Sequence, residues 1–515
     1  MTQVETPPPR PATDTAAPGP RSIKAEAANG VAWTSFIHGF RVATSLLTTI
    51  VLAWMLGPDA FGIVGSATIV VGFLLLFKDL GTGSAIVQKQ DLSPEVLSSV
   101  FWANVIIGIA GTLSLYLAAP AVAWFFDDPR LVPVLQVLGV VLFLAGVGVT
   151  HQSLMQKELR FALLAKTEAV AILAGAVTGV VSAVLGAGVW ALVLQALVTT
   201  GLATGLTIAL HAWRPRLHLR IADIGTVSQF SLNLTGSNVL NYLVRNADQL
   251  FILKFLGTFE LGLYALACKM LLLPISSINA VLNRVLFPLY SRIQDDDARL
   301  RNAFLKTTAT IALVMFPCLI GFATVADSLV AGVLPASWSP IVPLTAALAI
   351  VGLVQSVATS SGTIYMAKGR TDLLLLWTIA TGVFAVTGFA VGVQWGALGV
   401  AQAYAVLAVL LFLPGMALVL RLIDTPLSQF LGTCWRPLFC AVSMGAGIWW
   451  LGLITAPNLS PIQDLAVRIP AGIALYLTLT LALNREHLGE VLAAVRGRET
   501  AKLAPTRDHT HRSCS

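Results

Sequence analysis

The sequence predicts an all-α polytopic membrane protein of about 14 transmembrane helices, arranged as two pseudo-symmetric six-helix lobes plus a C-terminal helix pair. Three observations support this fold class. Apolar runs of a length that crosses a bilayer recur throughout the 515 residues. Only 11% of the residues are charged and the mean hydropathy is +0.82, whereas soluble domains carry about 25% charged residues. Finally, several motifs recur about 200 residues apart.

The apolar spans alternate with short polar connectors, and they define the expected organisation. Their approximate positions are 31–55, 61–77, 101–125, 131–150, 167–185, 189–210, 232–256, 261–283, 303–326, 341–357, 373–394, 396–420, 437–455 and 466–484. The expected regions are a disordered cytoplasmic tail (1–30), an N-lobe with helices 1–6 (31–210), a basic cytoplasmic connector with the start of helix 7 (211–231), a C-lobe with helices 7–12 (232–420), helices 13–14 (437–484) and a cytoplasmic C-terminal tail (485–515).

Charge alternates from one connector to the next, which predicts the orientation. Lysine and arginine crowd one set, which includes Lys157, Arg160, Arg214, Arg216 and Arg220. The other set is acidic, and its carboxylates are Asp59, Asp127, Asp128, Glu260, Asp327 and Asp464. Because basic connectors stay in the cytoplasm, both termini are expected there. The net charge of +7 follows from these connectors, and nucleic acid is not an expected partner.

An internal repeat divides the chain into two halves of the same orientation. The segment LGPDAFGIVGSA at Leu56–Ala67 matches LGTFELGLYALA at Leu256–Ala267, 200 residues later. Two further anchors follow in the same order, since the connector ending at Arg160 resembles the one ending at Arg370, and Gly188 corresponds to Gly396. Parallel halves of this kind place a substrate site between them near the bilayer midplane.

Helix 7 carries polar residues on one face. Helical spacing aligns Ser231, Thr235, Asn238, Asn241, Arg245 and Asp248. A charge at mid-bilayer costs about 2.5–3.5 kcal/mol on insertion scales, so such a face normally meets protein or a water-filled cavity. Subtracting 200 places His38, Arg41, Ser45 and Thr48 on the same face of helix 1. We therefore expect the two polar stripes to face each other across one central cavity.

The charges in this expected cavity favour an anion. Arg41 and Lys269 have no acidic neighbour in their own helices, and the planar fork of arginine suits phosphate or pyrophosphate. The candidate substrate-binding residues are His38, Arg41, Asn238, Asn241, Arg245 and Lys269. Two of them have plainer interpretations, because His38 can be a packing histidine and Lys269 can extend its amine to the membrane interface.

Asp248 has two interpretations. It is a candidate site for a coupling proton or sodium ion, or it tethers Arg245 three residues away on the same helix. Beyond such an ion gradient, no cofactor and no metal is expected.

No motif of an enzyme is present in the sequence. The glycine-rich DLGTGSA at Asp79–Ala85 lacks the ending of a phosphate-binding loop, and Asp127 and Asp128 are expected in a solvated turn. No nucleophile triad, zinc motif or nucleotide-binding motif accompanies them.

Five segments resemble the bacterial polysaccharide flippase family, also called the Wzx or polysaccharide transport family, of the multidrug/oligosaccharidyl-lipid/polysaccharide (MOP) exporter superfamily. They are LGPDAFGIVG, FKDLGTGSAIVQKQDLS, MQKELRF, YLVRNADQLFILKFLGTFELGLYALA and VLFPLYSRIQDD. The resemblance covers about residues 30–425 and includes the family's RNxD pattern at Arg245, Asn246 and Asp248.

This resemblance implies a function in the bacterial inner membrane. Members of the family move a polyprenyl-pyrophosphate-linked oligosaccharide to the periplasmic leaflet by alternating access, for O-antigen, capsule or exopolysaccharide synthesis. The implied partners are this lipid-linked glycan, membrane lipids, and the polymerase and chain-length proteins of the same pathway. An ion gradient is the implied driving force.

Two alternatives remain open. A multidrug or small-molecule exporter of the same fold would be expected to line its cavity with acidic residues, because its substrates are cationic. A membrane glycosyltransferase or polysaccharide polymerase would be expected to have a long periplasmic loop with clustered charges. The longest such connector here, Asp327 to Pro340, has no cluster of this kind.

Overall fold

A computed structural model gives the fold of residues 20–78, 82–89, 92–220, 239–485 and 489, without the side chains of residues 20–38, 84, 272–285 and 287–289. The regular structure in these ranges is helical. The α-helices are α1 (Pro20–Leu75), α2 (Thr82–Gln88), α3 (Pro94–Phe125), α4 (Leu131–Leu138), α5 (Val140–Lys157), α6 (Phe161–Val184), α7 (Trp190–Leu210), α8 (Ala247–Arg292), α9 (Asp297–Val333), α10 (Ile341–Ala358), α11 (Ser361–Ala367), α12 (Thr371–Gly392), α13 (Gly396–Arg421), α14 (Leu427–Thr455) and α15 (Pro461–Leu483).

Eleven stretches of the described chain are long and apolar enough to cross a membrane. Three of them are interrupted by a glycine in the left-handed region of φ, at Gly57, at Gly257 and at Gly396, which follows the 3-10 turn Val393–Trp395. Divided at these breaks, they give fourteen segments, which is the number that the sequence predicts. A further helical stretch at 239–245 leads into α8 and is separated from it by Asn246. The chain is a multi-pass helical membrane protein.

The backbone repeats the internal symmetry of the sequence. Each of the three repeated motifs contains a residue in the left-handed region of φ, at the equivalent position in both halves. The pairs are Gly57 with Gly257, Leu159 with Gly369, and Gly188 with Gly396. Glycine adopts this conformation without the steric cost that a side chain adds. The two halves therefore share their turns as well as their spans.

The halves meet where α1 and α8 bend. A Cβ atom on Gly62 would lie 1.7 Å from the carbonyl oxygen of Thr258, and one on Gly262 would lie 1.9 Å from that of Pro58. Because both distances are far below any van der Waals contact, only glycine permits this approach of backbone to backbone. The two contacts are related by the 200-residue repeat. We call this reciprocal contact the glycine seam.

Aromatic side chains continue the interface on both sides of the seam. Trp338 is fully buried, donates its indole N–H to the carbonyl of Ala53 at 2.9 Å and packs edge-on against Phe61. Tyr242 donates its hydroxyl to the carbonyl of Ile69 at 2.9 Å. The seam is thus enclosed by contacts between residues of different halves.

The C-terminal pair α14 and α15 packs on α9 through a buried charge cluster. Arg468 is 3% exposed, and its guanidinium contacts the carboxylates of Asp464 and Asp327 at 3.2 and 3.1 Å. A Cβ atom on Gly452 would overlap this guanidinium, so glycine at this position of α14 makes room for it. The pair is therefore attached to the second half by charge as well as by apolar packing.

We predict that Gly62→Ala lowers the stability of the protein. The added methyl group would overlap the Thr258 carbonyl, and relieving that overlap costs about 1–3 kcal/mol. The measurement is the midpoint of thermal unfolding of the purified protein in detergent.

Gly65→Ala is the matched control, because Gly65 lies on the same helix as Gly62 and the nearest atom to its new Cβ, on the Leu261 side chain of α8, is 4.0 Å away. Gly262→Ala is expected to behave like Gly62→Ala. Equal unfolding midpoints for Gly62→Ala and Gly65→Ala would show that the seam is not a tight contact.

Candidate functional site

The described members of the two polar stripes become more buried along their helices. Arg41 is partly exposed, whereas Thr48, two turns further along α1, is 6% exposed. In the second half, Asn241 and Arg245 are exposed and Asp248 is 5% exposed. Asn238 and the side chain of His38 lie outside the described part of the structure. In both stripes, the described residues nearest the glycine seam are therefore the most buried.

Arg41 has an acidic partner on another helix. Its guanidinium donates to the Glu168 carboxylate of α6 at 2.8 Å, and both side chains are a little over one third exposed. The sequence shows only that the predicted span 31–55 lacks an acid, and the packing of α6 against α1 supplies one. The positive charge of Arg41 is therefore largely offset within its own half.

Lys269 contacts the other half. Its ammonium donates to the Thr49 hydroxyl of α1 at 2.7 Å, so the side chain points across the interface between the halves and does not extend to a membrane surface. Thr49 is itself almost fully buried. Lys269 thus lies at the interface between the halves and is hydrogen-bonded there.

Asp248 is not a tether for Arg245. One of its carboxylate oxygens accepts a hydrogen bond from the Tyr264 hydroxyl at 2.7 Å, and the other accepts one from the backbone N–H of Gln249 at 2.8 Å. Among the residues that the structure describes, no ion pair joins Asp248 to Arg245. The tether interpretation is therefore wrong, because Tyr264 and the backbone provide the hydrogen bonds that it assigned to Arg245.

Arg245 and Asp248 line a cavity of about 330 Å³. Its walls come from the 239–245 stretch, α8 and α10 to α13, all in the second half. The lining residues are Val244, Arg245, Asp248, Val354, Gln355, Ala358, Ser361, Gly362, Tyr365, Leu374, Trp377, Thr381, Ala385, Phe389, Tyr404, Leu407, Ala408, Leu411, Phe412, Gly415, Met416 and Val419. We call it the C-half cavity.

The C-half cavity is lined by residues of the second half, and one cavity lined by both stripes remains a prediction. Arg41 pairs with Glu168 inside the first half, whereas Arg245 and Asp248 line a cavity built by the second half. α6 packs against α1 at Arg41, and α12 approaches the 239–245 stretch where Gly382 contacts Val244.

The chemistry of the C-half cavity is that of an amphipathic site. Most of its walls are apolar, and Gln355 donates its amide to Tyr404 at 2.7 Å. Arg245 is exposed, and within the described chain no carboxylate lies at ion-pair distance from it. The arrangement offers one open cation, one buried carboxylate and a large apolar surface.

Sequence reasoning missed a charged network at the acidic ends of the helices. Arg130 donates to Asp59 at 2.5 Å, to Asp128 at 2.8 Å and, across the interface, to Thr258 at 3.1 Å. The Thr258 hydroxyl in turn donates to Asp59 at 2.8 Å. Arg130 thereby bridges both halves next to the glycine seam. One feature of the sequence could have identified this network: Arg130 is nearly the only cation in the acidic connectors.

The adjacent residues Asp127 and Asp128 also accept hydrogen bonds from basic side chains. The expected solvated turn therefore describes Asp127 but not Asp128. Asp127 is exposed, but its carboxylate accepts a hydrogen bond from Lys254 of the second half at 2.7 Å. Asp128 is mostly buried. Burial alone would raise the pKa of Asp128, but the hydrogen bonds from the side chain and backbone of Arg130 outweigh it, so this pKa lies below its ordinary value.

We predict that Arg130→Gln and Thr258→Val are energetically coupled. Their double-mutant cycle at pH 7 should give a coupling of about 0.5–1 kcal/mol, a small value because Arg130 is half exposed. Because the pKa of Asp128 is depressed in the folded protein, its charge stabilises the network above pH 3.8, and the contribution is lost as the pH falls through the folded pKa. The cycle is measured by unfolding at pH 7 and pH 3.

The control cycle pairs Thr258→Val with Arg370→Gln, whose ion pair with Asp372 lies at the opposite, basic end of the bundle. These two changes should be additive. Additivity of Arg130→Gln and Thr258→Val at pH 7 would contradict a bridge between the halves.

Comparison with known proteins places the chain among polysaccharide biosynthesis proteins. A family model with the description "Polysaccharide biosynthesis protein" matches residues 51–343, more than half of the chain. The lipopolysaccharide biosynthesis protein WzxC of Escherichia coli (strain K12) is 26% identical over 443 residues, which cover 85% of this chain and 90% of WzxC. The teichuronic acid biosynthesis protein TuaB of Bacillus subtilis (strain 168) is 29% identical over 79% of this chain and 85% of TuaB.

The fold has a match among solved structures. The lipid II flippase MurJ in an inward closed conformation superimposes with a TM-score of 0.68, covering 88% of this chain and 99% of MurJ. The sequence identity is 15%, so the likeness concerns the fold. The predicted fold class of two lobes and a helix pair is confirmed.

Proposed function

The chain belongs to the polysaccharide biosynthesis protein family, and on this premise we propose that it is a flippase for a polyprenyl-pyrophosphate-linked oligosaccharide. It moves this repeat unit across the bacterial inner membrane by alternating access, for O-antigen, capsule or exopolysaccharide synthesis. WzxC and TuaB carry names from lipopolysaccharide and teichuronic acid biosynthesis. The polymerase and chain-length proteins of the same pathway are its proposed partners.

The observation that carries the proposal is Arg245 at the C-half cavity. A cation within a membrane-spanning segment is costly, and Arg41 and Lys269 lower that cost through partners on other helices. Arg245 instead faces an open cavity without a carboxylate at ion-pair distance among the described residues. A pyrophosphate supplies the charge and the acceptor oxygens that the guanidinium fork binds.

The orientation of the proposed transport follows from the connectors. Positive-inside logic assigns the basic connectors and both termini to the cytoplasm, so the glycine seam and Arg130 lie at the periplasmic end. With the halves in contact there, the described state is closed toward the periplasm. The lipid-linked glycan then enters from the cytoplasmic leaflet and leaves when the seam opens.

The charge pattern favours this proposal over export of cationic small molecules. Asp248 is buried and accepts two hydrogen bonds, whereas Arg245 is exposed to the cavity. A cationic substrate would meet the guanidinium before it reached the carboxylate. We therefore assign the cavity to an anion and give the chain no catalytic step.

We predict that Arg245→Gln abolishes or strongly reduces surface polysaccharide. Loss of a charge-assisted hydrogen bond of about 1.5–3 kcal/mol corresponds to roughly a tenfold or larger loss of transport. The measurement is translocation of a fluorescent lipid-linked oligosaccharide in proteoliposomes, together with polymer at the cell surface. Arg245→Lys keeps the charge without the fork and should give intermediate activity.

Arg421→Gln serves as the control, because Arg421 is an exposed arginine at the end of α13 and does not line the cavity. The chain should insert and transport normally with this change. Wild-type transport by Arg245→Gln would overturn the anion site.

We also propose that Asp248 binds the coupling ion, a proton or sodium. It is the buried carboxylate of the cavity, and the Tyr264 hydroxyl fixes its orientation. We predict that Asp248→Asn slows transport and makes it independent of the ion gradient. The neutral amide has no negative charge with which to bind the coupling ion.

The measurement is translocation with and without a pH or sodium gradient. Asp372→Asn, at the exposed ion pair with Arg370, is the control and should keep the dependence. A gradient response in Asp248→Asn equal to that of the unmodified protein would exclude Asp248 as the ion site.

A further inference from the structure

The start of the connector between the two halves is bound along α3. Residues 212–220 follow α7 and lie in irregular backbone. The backbone N–H of Arg220 donates to the Ser99 hydroxyl at 3.1 Å, and the Trp102 indole donates to the Arg216 carbonyl at 2.8 Å. Side chains of α3 therefore hold the main chain of this stretch in place. We call residues 212–220 the linker segment.

The linker segment covers the lipid-facing side of α3. One face of this helix exposes large apolar side chains, at Ile106, Ile109, Leu113 and Leu117. In a membrane-spanning helix such a face meets hydrocarbon, because water does not favour contact with it. Helical spacing continues the same face through Trp102 to Ser99, the two residues that hold the linker segment. The segment therefore lies between α3 and the membrane.

The linker segment lies at the level of the membrane interface. The 32 residues of α3 span about 48 Å, whereas the hydrocarbon core is about 30 Å thick, so about 9 Å at each end lies outside it. Ser99 and Trp102 are about 8 and 12 Å from Pro94, on either side of this boundary. Tryptophan is enriched at this level, and the linker segment contributes a second one, Trp213.

The outward side chains of the segment are basic and apolar. Arg216 and Arg220 are exposed. Between them, Leu217 and Leu219 are 93% and 51% exposed. The contact of Arg216 with Glu95 at 3.5 Å joins two exposed side chains and offsets little of its charge. Arginines beside exposed leucines are typical of segments that lie in the interface of an anionic membrane.

We propose that the linker segment binds the headgroups of anionic phospholipids. Leu217 and Leu219 enter the upper acyl region, and the guanidinium groups of Arg216 and Arg220 bind the phosphates above them. Each basic residue beside an anionic leaflet favours such binding about fivefold. The proposed orientation places this contact in the cytoplasmic leaflet. The membrane therefore holds the start of the connector between the halves from outside, while α3 holds it from inside.

The test measures which lipid lies beside position 217. Leu217→Cys is made in the full-length chain with its own five cysteines replaced by alanine, and the new thiol is labelled with a fluorophore. The protein is reconstituted in nanodiscs of equal parts phosphatidylglycerol and phosphatidylcholine. One of the two lipids carries a nitroxide quencher near the top of an acyl chain. Because both leaflets have the same composition, the result does not depend on the orientation of the chain.

We expect phosphatidylglycerol with the nitroxide to quench this label at least twice as strongly as phosphatidylcholine with the nitroxide. Arg216→Gln combined with Arg220→Gln should abolish the preference, and rising ionic strength should weaken it in the unmodified chain. A label at Leu185→Cys, which is 79% exposed at the opposite end of the bundle, should be quenched equally by both lipids. If the double variant does not fold, Arg220→Gln alone replaces it and should reduce the preference.

The matched control combines Arg299→Gln with Arg421→Gln, which removes the same charge from exposed positions at the basic end of the second half. Arg299 pairs with Asp296 through exposed side chains, as Arg216 does with Glu95. This variant should keep the preference at position 217. A loss as large as that of the linker variant would overturn the proposal, because net charge alone would then explain the effect.

Two other results would also overturn it. Equal quenching by the two lipids at position 217 would mean that the segment contacts the bilayer without recognising a headgroup. No quenching by either lipid would place the segment in water. None of these measurements includes a transport step, so the lipid site and the proposed flippase stand or fall separately.

Discussion

The reciprocal contact of Gly62 with Thr258 and of Gly262 with Pro58 is the constraint on which the two-lobed structure depends. The two backbones can approach this closely only because Gly62 and Gly262 have no side chain. The contact sets how closely α1 and α8 approach each other at this point. The buried Trp338 and the bridge of Arg130 are possible because the seam holds the two halves at this separation. Both contacts lie beside the left-handed bends at Gly57 and Gly257, which direct each chain into the seam.

The intramembrane charges are accommodated in three different ways. Arg41 has a carboxylate on a neighbouring helix, Lys269 has a hydroxyl on the opposite half, and Arg245 faces a cavity. The first two arrangements lower the cost of a charge in a low-dielectric medium and also hold helices together. Only the third leaves the donors of the cation available to a ligand. The difference in surroundings, and not the residue type, is what distinguishes a structural cation from a binding one.

The repeat made most of the fold predictable from sequence. Apolar length gave the fourteen segments, and the repeated segments Leu56–Ala67 and Leu256–Ala267 contain the glycines of the bends and of the seam, although the repeat predicted neither the bends nor the contact. The site was less predictable. The stripe on helix 7 put Arg245 and Asp248 on one polar face, and both line the C-half cavity, but periodicity specifies a face and not what packs against it. Glu168 lies 127 residues from Arg41, and Asp59 lies 71 residues from Arg130, so only tertiary packing brings these pairs together.

Trp338 and Arg130 occupy equivalent connectors of the two halves, 208 residues apart, the offset that also separates Gly188 from Gly396. Each closes one flank of the seam, the first by an apolar ring and the second by exposed ions. Ionic strength screens exposed charges but has little effect on apolar packing. The two equivalent connectors therefore hold the seam by different kinds of interaction. High ionic strength therefore weakens the Arg130 flank more than the Trp338 flank, which is a difference between the halves that the internal repeat does not contain.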